Sequence, residues 1–276
     1  MRVLLPSERR RTSRRRTLAL ERVLATHNAL DRSTALARDP VRFARRYESR
    51  DDRELAALVS ALLAFGNVTT IGNKLHELLV ERLRDRPAAF IDQRSRGKMR
   101  SSLEGFVHRT FVGEDIAALL FAARELQRER GSVFAPLEDA FAREQTLLGA
   151  LVAWVALLRS RAFGPSLTRS QQHLLPDPAG NSACKRLVLL CRWIARPDDG
   201  VDLGLVSLPT RALVVPLDVH VHRIARSLGF TKRPSASWKA ALEVTAALAE
   251  LDAEDPVKFD FALCHTEIAQ RLNRQG

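Results

Sequence analysis

Apolar residues recur along this chain at intervals of three and four, and this spacing constrains the fold more than any other feature. One such stripe consists of Leu55, Leu58, Val59 and Leu62. Leucine and alanine dominate the composition, runs of β-branched residues are few, and only 6% of the residues are aromatic. Because leucine and alanine favour helix, the sequence predicts an all-α fold. Val214-Val215 could be strand-like, but it is too short to indicate a sheet.

Charged residues, glycines and prolines set the expected helix limits. Acidic residues favour a helix start at Asp51, and Gly131, Gly164 and Gly229 favour helix ends. The predicted helices run near 16–30, 51–64, 69–84, 103–130 (in two parts divided near 110–114), 134–159, 183–195, 219–228, 238–250 and 257–272. With 46% hydrophobic residues, 17–276 can form a single domain with a large core.

The first sixteen residues form a basic arm. They hold seven arginines and one glutamate, so they carry half of the net charge of +12. Like charges in such a block repel one another, which predicts a disordered arm that contacts nucleic acid. A solubilising tail or a misassigned start codon is the alternative. The remainder of the chain is also basic, so a polyanionic partner does not depend on the arm.

Several classes of protein are disfavoured by the sequence. No apolar stretch reaches the roughly 18 residues that a membrane-spanning helix needs, and no apolar segment follows the arginines as in a secretory signal. The three cysteines, Cys184, Cys191 and Cys264, fit a reducing compartment and are too few for a four-cysteine iron–sulfur cluster. We therefore expect a cytoplasmic, nucleoid-associated protein without a cofactor.

Asp218 separates the apolar segment 213–217 from a short amphipathic helix. An aspartate before a helix is a good N-cap, worth about 1 kcal/mol, and capping alone would account for it. The amide groups and the dipole of the helix also keep such a carboxylate ionised. An ionised carboxylate at that place can stabilise a developing positive charge or activate a nucleophile.

Lys185 lies near the start of the predicted helix 183–195. Ser182 is a suitable cap, which would make Lys185 the third residue of the helix. The positive end of the helix disfavours the ammonium form and so favours the neutral amine that nucleophilic attack requires. A surface lysine or a plain phosphate contact is the alternative.

A metal site is not expected. Asp218, His220 and His222 could be metal ligands, with Cys264 and His265 nearby. On one helix, however, His220 and His222 point about 200° apart, so they cannot bind one ion together. Core packing is the expected role of Trp154, Trp193 and Trp238, with stacking on an extruded base as the alternative.

Longer motifs resemble a bacterial family known mainly as a domain of unknown function. The resemblance covers nearly the whole chain after the arm. The motifs are Gly105-Phe106-Val107-His108-Arg109, His173-Leu174-Leu175-Pro176-Asp177-Pro178, Ser182-Ala183-Cys184-Lys185-Arg186-Leu187, Pro216-Leu217-Asp218-Val219-His220-Val221-His222-Arg223-Ile224-Ala225 and Asp255-Pro256-Val257-Lys258-Phe259-Asp260-Phe261-Ala262-Leu263-Cys264.

Residues 54–83 and 182–229 also distantly resemble the helix-hairpin-helix DNA glycosylases. The matching features are Ser60-Ala61, the Phe65-Gly66-Asn67 turn, Asn73-Lys74 and the run from Asp218 to Arg223. The family's hairpin glycines are missing from 208–213, and so is the lysine usually found there. An archaeal branch that removes oxidised guanine is more similar, because its lysine lies further before the aspartate; Lys185 and Asp218 are 33 residues apart.

The resemblance implies a two-lobed helical fold and a monomeric enzyme that excises a damaged base from double-stranded DNA. It implies that Lys185 attacks the sugar to form a Schiff base and that Asp218 activates it or stabilises the transition state. The candidate nucleic-acid contacts are Phe65, as a wedge, and Asn67, Arg109, Arg186, Arg192, His220 and Arg223. A non-catalytic nucleic-acid-binding module on the same scaffold and a protein-interaction scaffold are the alternatives.

Overall fold

The structure is a computed structural model that describes residues 6–265, with side chains from residue 14 to residue 263 except at residue 35. The α-helices are α1 (Pro6–Ala29), α2 (Arg32–Arg38), α3 (Arg42–Arg45), α4 (Arg50–Leu62), α5 (Val68–His76), α6 (Pro87–Asp92), α7 (Arg96–Ser102), α8 (Gly113–Arg130), α9 (Ala135–Glu144), α10 (Leu147–Phe163), α11 (Arg169–Leu174), α12 (Lys185–Ala195), α13 (Val219–Ser227), α14 (Trp238–Leu248) and α15 (Asp260–His265). The predicted all-α class is confirmed.

Short non-α elements complete the fold. A π-helical turn at Glu77–Arg82 continues α5, and 3-10 turns occur at Thr210–Ala212 and Pro256–Phe259. An antiparallel hairpin joins α7 to α8. Its strands are β1 (Val107–His108) and β2 (Phe111–Val112), with Val107 opposite Val112 and His108 opposite Phe111.

Two predicted helical regions are divided differently in the structure. The first of the two helices expected in 103–130 is wrong, because α7 ends at Ser102 and the hairpin occupies 107–112. Gly113 follows the hairpin because a Cβ there would lie 1.9 Å from the carbonyl oxygen of Leu103. The region 134–159 is two helices, because Gln145 adopts a left-handed conformation with φ of 53° that ends α9. The predicted helix 257–272 begins as a 3-10 turn, and its part beyond residue 265 lies outside the described residues.

The basic arm lies partly outside the described residues. Residues 1–5 are not described, and residues 6–16 form the first part of α1. The disorder of the arm and its contact with nucleic acid stay predictions. Arg16 forms an ion pair with Glu250, which follows α14. Helix α1 also packs against α15 and the Pro256–Phe259 turn. The described part of the arm is therefore continuous with a helix that packs on the C-terminal elements.

Helix α4 lies at the centre of the core. Its residues from Glu54 to Leu62 are all buried, and it packs against α3, α6, α8 and α12. The buried Glu54 carboxylate accepts hydrogen bonds from Arg50, Gln127, Ser132 and the amide of Val133, at 2.7–3.0 Å. A buried carboxylate is tolerated only with such partners. The C-terminal end of α4 is held beside the start of α12, where Lys185 lies.

A buried ion network joins the C-terminal half of α12 to α15. Arg192 contacts Asp260 at 2.8 Å and Asp202 at 3.4 Å, and Arg196 contacts Asp202 and, at 3.0 Å, Asp255. The two arginines are less than a tenth exposed. Each buried guanidinium thus has carboxylate partners that offset the cost of removing it from water. In the described part of the chain, no helix is both long enough and apolar enough to cross a membrane.

Candidate active site

The structure brings Lys185 and Asp218 into direct contact. The Nζ atom of Lys185 lies 2.9 Å from Oδ2 of Asp218, and the two side chains are 36% and 31% exposed. Lys185 is the first residue of α12, and Asp218 caps the start of α13. An amine and a carboxylate from two helix starts therefore meet where solvent can reach both.

Asp218 is both a helix cap and an ionised acid. Its Oδ1 atom accepts a hydrogen bond from the amide of Val221 at 2.9 Å, as the sequence predicts for an N-cap. Burial acts to raise the pKa of Asp218, but the charge of Lys185 and the Val221 amide outweigh it and hold the pKa below its ordinary value. The carboxylate is therefore charged at neutral pH, with Oδ2 directed at the amine.

The start of α12 differs from the predicted one. The helix begins at Lys185 rather than at residue 183, and Cys184 occupies the cap position without a side-chain cap bond. Ser182 instead accepts a hydrogen bond from the amide of Cys184 at 3.1 Å. Cys184 has φ of 47°, a left-handed conformation that costs free energy for any residue with a Cβ. This turn makes Lys185 the first residue of the helix and not the third.

The Phe65 turn (residues 63–67) presents an exposed aromatic side chain. Phe65 is 39% exposed, and the guanidinium of Arg109, from the β1–β2 hairpin, lies 4.8 Å from its ring centre. The His173 ring meets Phe65 edge to face at 5.1 Å. Asn67 is exposed and caps α5 by accepting bonds from the amides of Thr69 and Thr70. Phe65, Asn67 and Arg109 are thus neighbours on one part of the surface.

The remaining candidate contacts divide into exposed and buried residues. His220 and Arg223 are exposed residues of α13, the helix that Asp218 caps. Arg186 and Arg192 are buried, Arg186 against backbone carbonyl groups and Arg192 within the ion network, so neither guanidinium is exposed to a phosphate.

Of the alternative metal ligands, Asp218, His220 and His222 are described, and the two histidines point to different surroundings. His222 is buried and its Nε2 atom lies 3.1 Å from the carbonyl oxygen of Arg233, while His220 is exposed. Among the side chains that the structure describes, no group of three histidine, cysteine or acidic residues is placed to hold a metal ion. The side chains of Cys264 and His265 lie outside the described residues.

Comparison with protein families gives one match. A family model described as "Protein of unknown function (DUF2400)" matches residues 39–269. The chain belongs to this family. The match includes Lys185, Asp218 and the Phe65 turn, and the whole of the arginine-rich α1 precedes it. Comparisons with curated proteins and with solved structures found no match.

The sequence of this DUF2400 chain did not predict the contacts that His173 makes with the Phe65 turn. It contacts Phe65 and Phe111, and its Nδ1 atom lies 3.0 Å from the hydroxyl of Thr110. Burial, helped by the charges of Arg186 and Arg169, lowers its pKa, which favours the neutral ring. No local pattern indicates these contacts, because Phe65 lies more than a hundred residues earlier. The tryptophans, in contrast, are buried in the core as expected.

Proposed function

We propose that this protein is a DNA base-excision glycosylase with an associated lyase activity. The observation that carries the proposal is the 2.9 Å contact between the Lys185 amine and the Asp218 carboxylate. Both side chains remain partly exposed, so a sugar carbon can approach the amine. An exposed lysine beside an acid is the pair that nucleophilic excision of a base requires.

The reaction starts from the ion pair. Lys185 loses one proton, through Asp218 to solvent, and the neutral amine attacks C1′ of the nucleotide. The bond between C1′ and the base breaks, and the base leaves with the electron pair and takes up a proton from solvent. The new C1′–Nζ ammonium then loses a second proton, which passes to O4′ as the C1′–O4′ bond breaks, and the nitrogen electron pair forms the iminium between C1′ and Nζ. Asp218 faces the positive charge that develops in these steps and stabilises it.

Double-stranded DNA with a damaged base is the proposed substrate. The chain carries a net charge of +12, which favours a polyanion. The exposed Phe65 ring with Arg109 over it offers a surface on which a base can stack, and Phe65 can act as a wedge. His220 and Arg223 are exposed on the helix that Asp218 caps, where they can contact phosphates. A two-lobed glycosylase-like arrangement, with a cleft at Lys185, is part of this proposal.

Borohydride trapping tests the proposal. The protein is mixed with a panel of duplexes that carry oxidised guanine, other damaged bases or an abasic site, and borohydride reduces any iminium to a stable amine. We expect a covalent adduct with at least one duplex and its loss in Lys185→Gln. The absence of an adduct with every duplex would remove the lysine mechanism.

A non-catalytic nucleic-acid-binding protein is the second candidate, and one observation favours it. The segment at the position of the glycosylase hairpin is the 3-10 turn Thr210–Ala212. The Thr210 hydroxyl donates to the carbonyl of Glu254 at 2.6 Å, and Arg211 pairs with the Glu254 side chain. This candidate predicts salt-dependent binding that Asp218→Asn leaves unchanged, and no adduct with any duplex.

A further inference from the structure

Arg186 is a buried cation that the proposed reaction does not use. Its side chain donates hydrogen bonds to the backbone carbonyl groups of Leu62, His173 and Leu174. Its guanidinium also lies 5.2 Å from the centre of the Phe111 ring. Arg192, on the same helix, is instead paired with carboxylates. Arg186 is therefore bound to uncharged groups of the backbone, and its position depends on the segments that carry them.

These carbonyl groups belong to helix ends. Leu62 is the last residue of α4, and His173 and Leu174 are the last two residues of α11. The final carbonyls of a helix have no donor within the helix and carry partial negative charge. The guanidinium of Arg186 supplies the missing donors at both ends. Burial lowers the pKa of Arg186 to about 10, so the group is still charged at neutral pH.

The two helix ends support the Phe65 turn. Leu62 immediately precedes this turn, and the next carbonyl, that of Leu63, lies 3.1 Å from Nε2 of His108. His173, whose carbonyl accepts from Arg186, places its ring against Phe65. Arg186 thus holds both the turn that presents Phe65 and the ring that contacts it.

Arg186 also lies in the first turn of α12, beside Lys185. It follows Lys185 directly as the second residue of the helix, and the left-handed Cys184 precedes them both. The acid opposite Lys185 comes from another helix, α13. A displacement of the first turn of α12 therefore moves the Lys185 amine relative to Asp218.

We propose that Arg186 is a positioning residue that holds the first turn of α12, and with it the Lys185 amine, in a fixed relation to the Phe65 turn. A duplex that contacts Phe65 then meets the amine at a set distance. The assignment of Lys185 as the nucleophile rests on the proposed function. The assignment of Arg186 as the residue that holds the first turn of α12 rests on its three carbonyl contacts.

Arg159 provides a matched control. It is an arginine of α10 that donates from Nε and Nη2 to the carbonyl of Leu175, at 2.9 and 2.6 Å. That carbonyl follows those bound by Arg186, but these contacts do not reach α4 or α12. Arg159→Gln therefore removes an arginine–carbonyl contact from the same segment, together with a 3.8 Å ion pair to Asp177, while the three carbonyl contacts of Arg186 remain. The test compares Arg186→Gln and Arg186→Lys with this control, after thermal unfolding has shown that each variant is folded.

The first measurement needs no enzymatic activity. The free protein is treated with an amine-acylating reagent, and the rate at Lys185 is followed by peptide mass spectrometry. We expect Arg186→Gln to raise this rate at least about threefold, because a displaced amine loses its ion pair with Asp218. Arg186→Lys should fall between Arg186→Gln and the native protein, and Arg159→Gln should match the native protein. An unchanged rate in Arg186→Gln would overturn the proposal; if that variant does not fold, an unchanged rate in Arg186→Lys would do so.

The second measurement separates positioning from binding. Single-turnover borohydride trapping and the Kd are measured with a duplex that carries an abasic site. We expect Arg186→Gln to slow trapping by about tenfold to a hundredfold, as a misplaced nucleophile does, with a small change in Kd. Equal losses in rate and affinity would show a DNA contact and overturn the positioning role. If the native protein traps nothing, the proposed function fails, and the acylation rate still decides the role of Arg186.

Discussion

The two ends of helix α12 use their charged residues in opposite ways. At the C-terminal end, Arg192 and Arg196 are buried among the carboxylates of Asp202, Asp255 and Asp260. At the N-terminal end, the ion pair of Lys185 and Asp218 is about one third exposed. A buried pair is costly to break, whereas an exposed pair contributes little to stability. The C-terminal end of α12 therefore stabilises the fold, whereas the N-terminal end carries the pair to which we assign the proposed reaction.

The largest expected effect is on the reaction at the exposed end. Lys185→Gln should abolish borohydride trapping, because an amide cannot form an iminium, and should leave the free energy of unfolding within about 1 kcal/mol. Lys258→Gln is the matched control, since Lys258 also forms a partly exposed pair with an aspartate, Asp252. Trapping that persists in Lys185→Gln would contradict the account.

Asp218→Asn should lower the single-turnover rate by about a hundredfold to a thousandfold, as removal of one electrostatic stabiliser does. Asparagine is as good an N-cap as aspartate, so α13 should keep its start and the melting temperature should change little. Rapid-quench kinetics and a thermal melt check the two parts. An unchanged rate would make Asp218 a cap alone.

At the buried end, Arg192→Met should destabilise the fold by about 3–5 kcal/mol, because it removes a buried cation that pairs with Asp202 and Asp260. Denaturant unfolding measures this loss. Trapping per folded molecule should remain close to the native rate, since the network lies at the other end of the helix. A lower trapping rate in a fully folded Arg192→Met variant would show that the ion network also supports the reaction at the other end of the helix.

The smallest expected effect is on the pH dependence of the stability that the pair of Lys185 and Asp218 contributes. The pKa of Asp218 is lowered in the folded protein, so its pair with Lys185 adds stability above the unfolded pKa of about 4, and this stability is lost as the pH falls through the folded value. The stability difference between the native protein and Asp218→Asn should therefore disappear in acid. For a partly exposed pair this difference is at most about 1 kcal/mol. A difference that grows in acid would contradict the pKa shift.

Local patterns predicted much of the fold. The stripe from Leu55 to Leu62 predicted a helix at 51–64, and α4 spans Arg50–Leu62. The all-α class followed from the same periodicity. The β1–β2 hairpin was not predicted, because its strands have two residues each, too few to show an alternating pattern. The helix end at Gln145 was not predicted, because no glycine marks the left-handed conformation there.

Contacts between distant residues limited the prediction of the site. Arg186 and Arg192 were expected at the surface, where most arginines lie. Their burial depends on Leu62 and Asp260, which lie 124 and 68 residues away in the chain. The start of α12 was misplaced for a related reason, since nothing in the sequence near Ser182 indicates the left-handed turn at Cys184.

Peptide mapping of the borohydride adduct is the most direct test of Lys185 as the nucleophile. After trapping on a duplex with an abasic site, proteolysis and mass spectrometry identify the amine that carries the sugar. We expect the adduct on Lys185, and we expect it to disappear when Lys185 is replaced. An adduct on another lysine or on the N-terminal amine, with the Lys185 peptide unmodified, would contradict it.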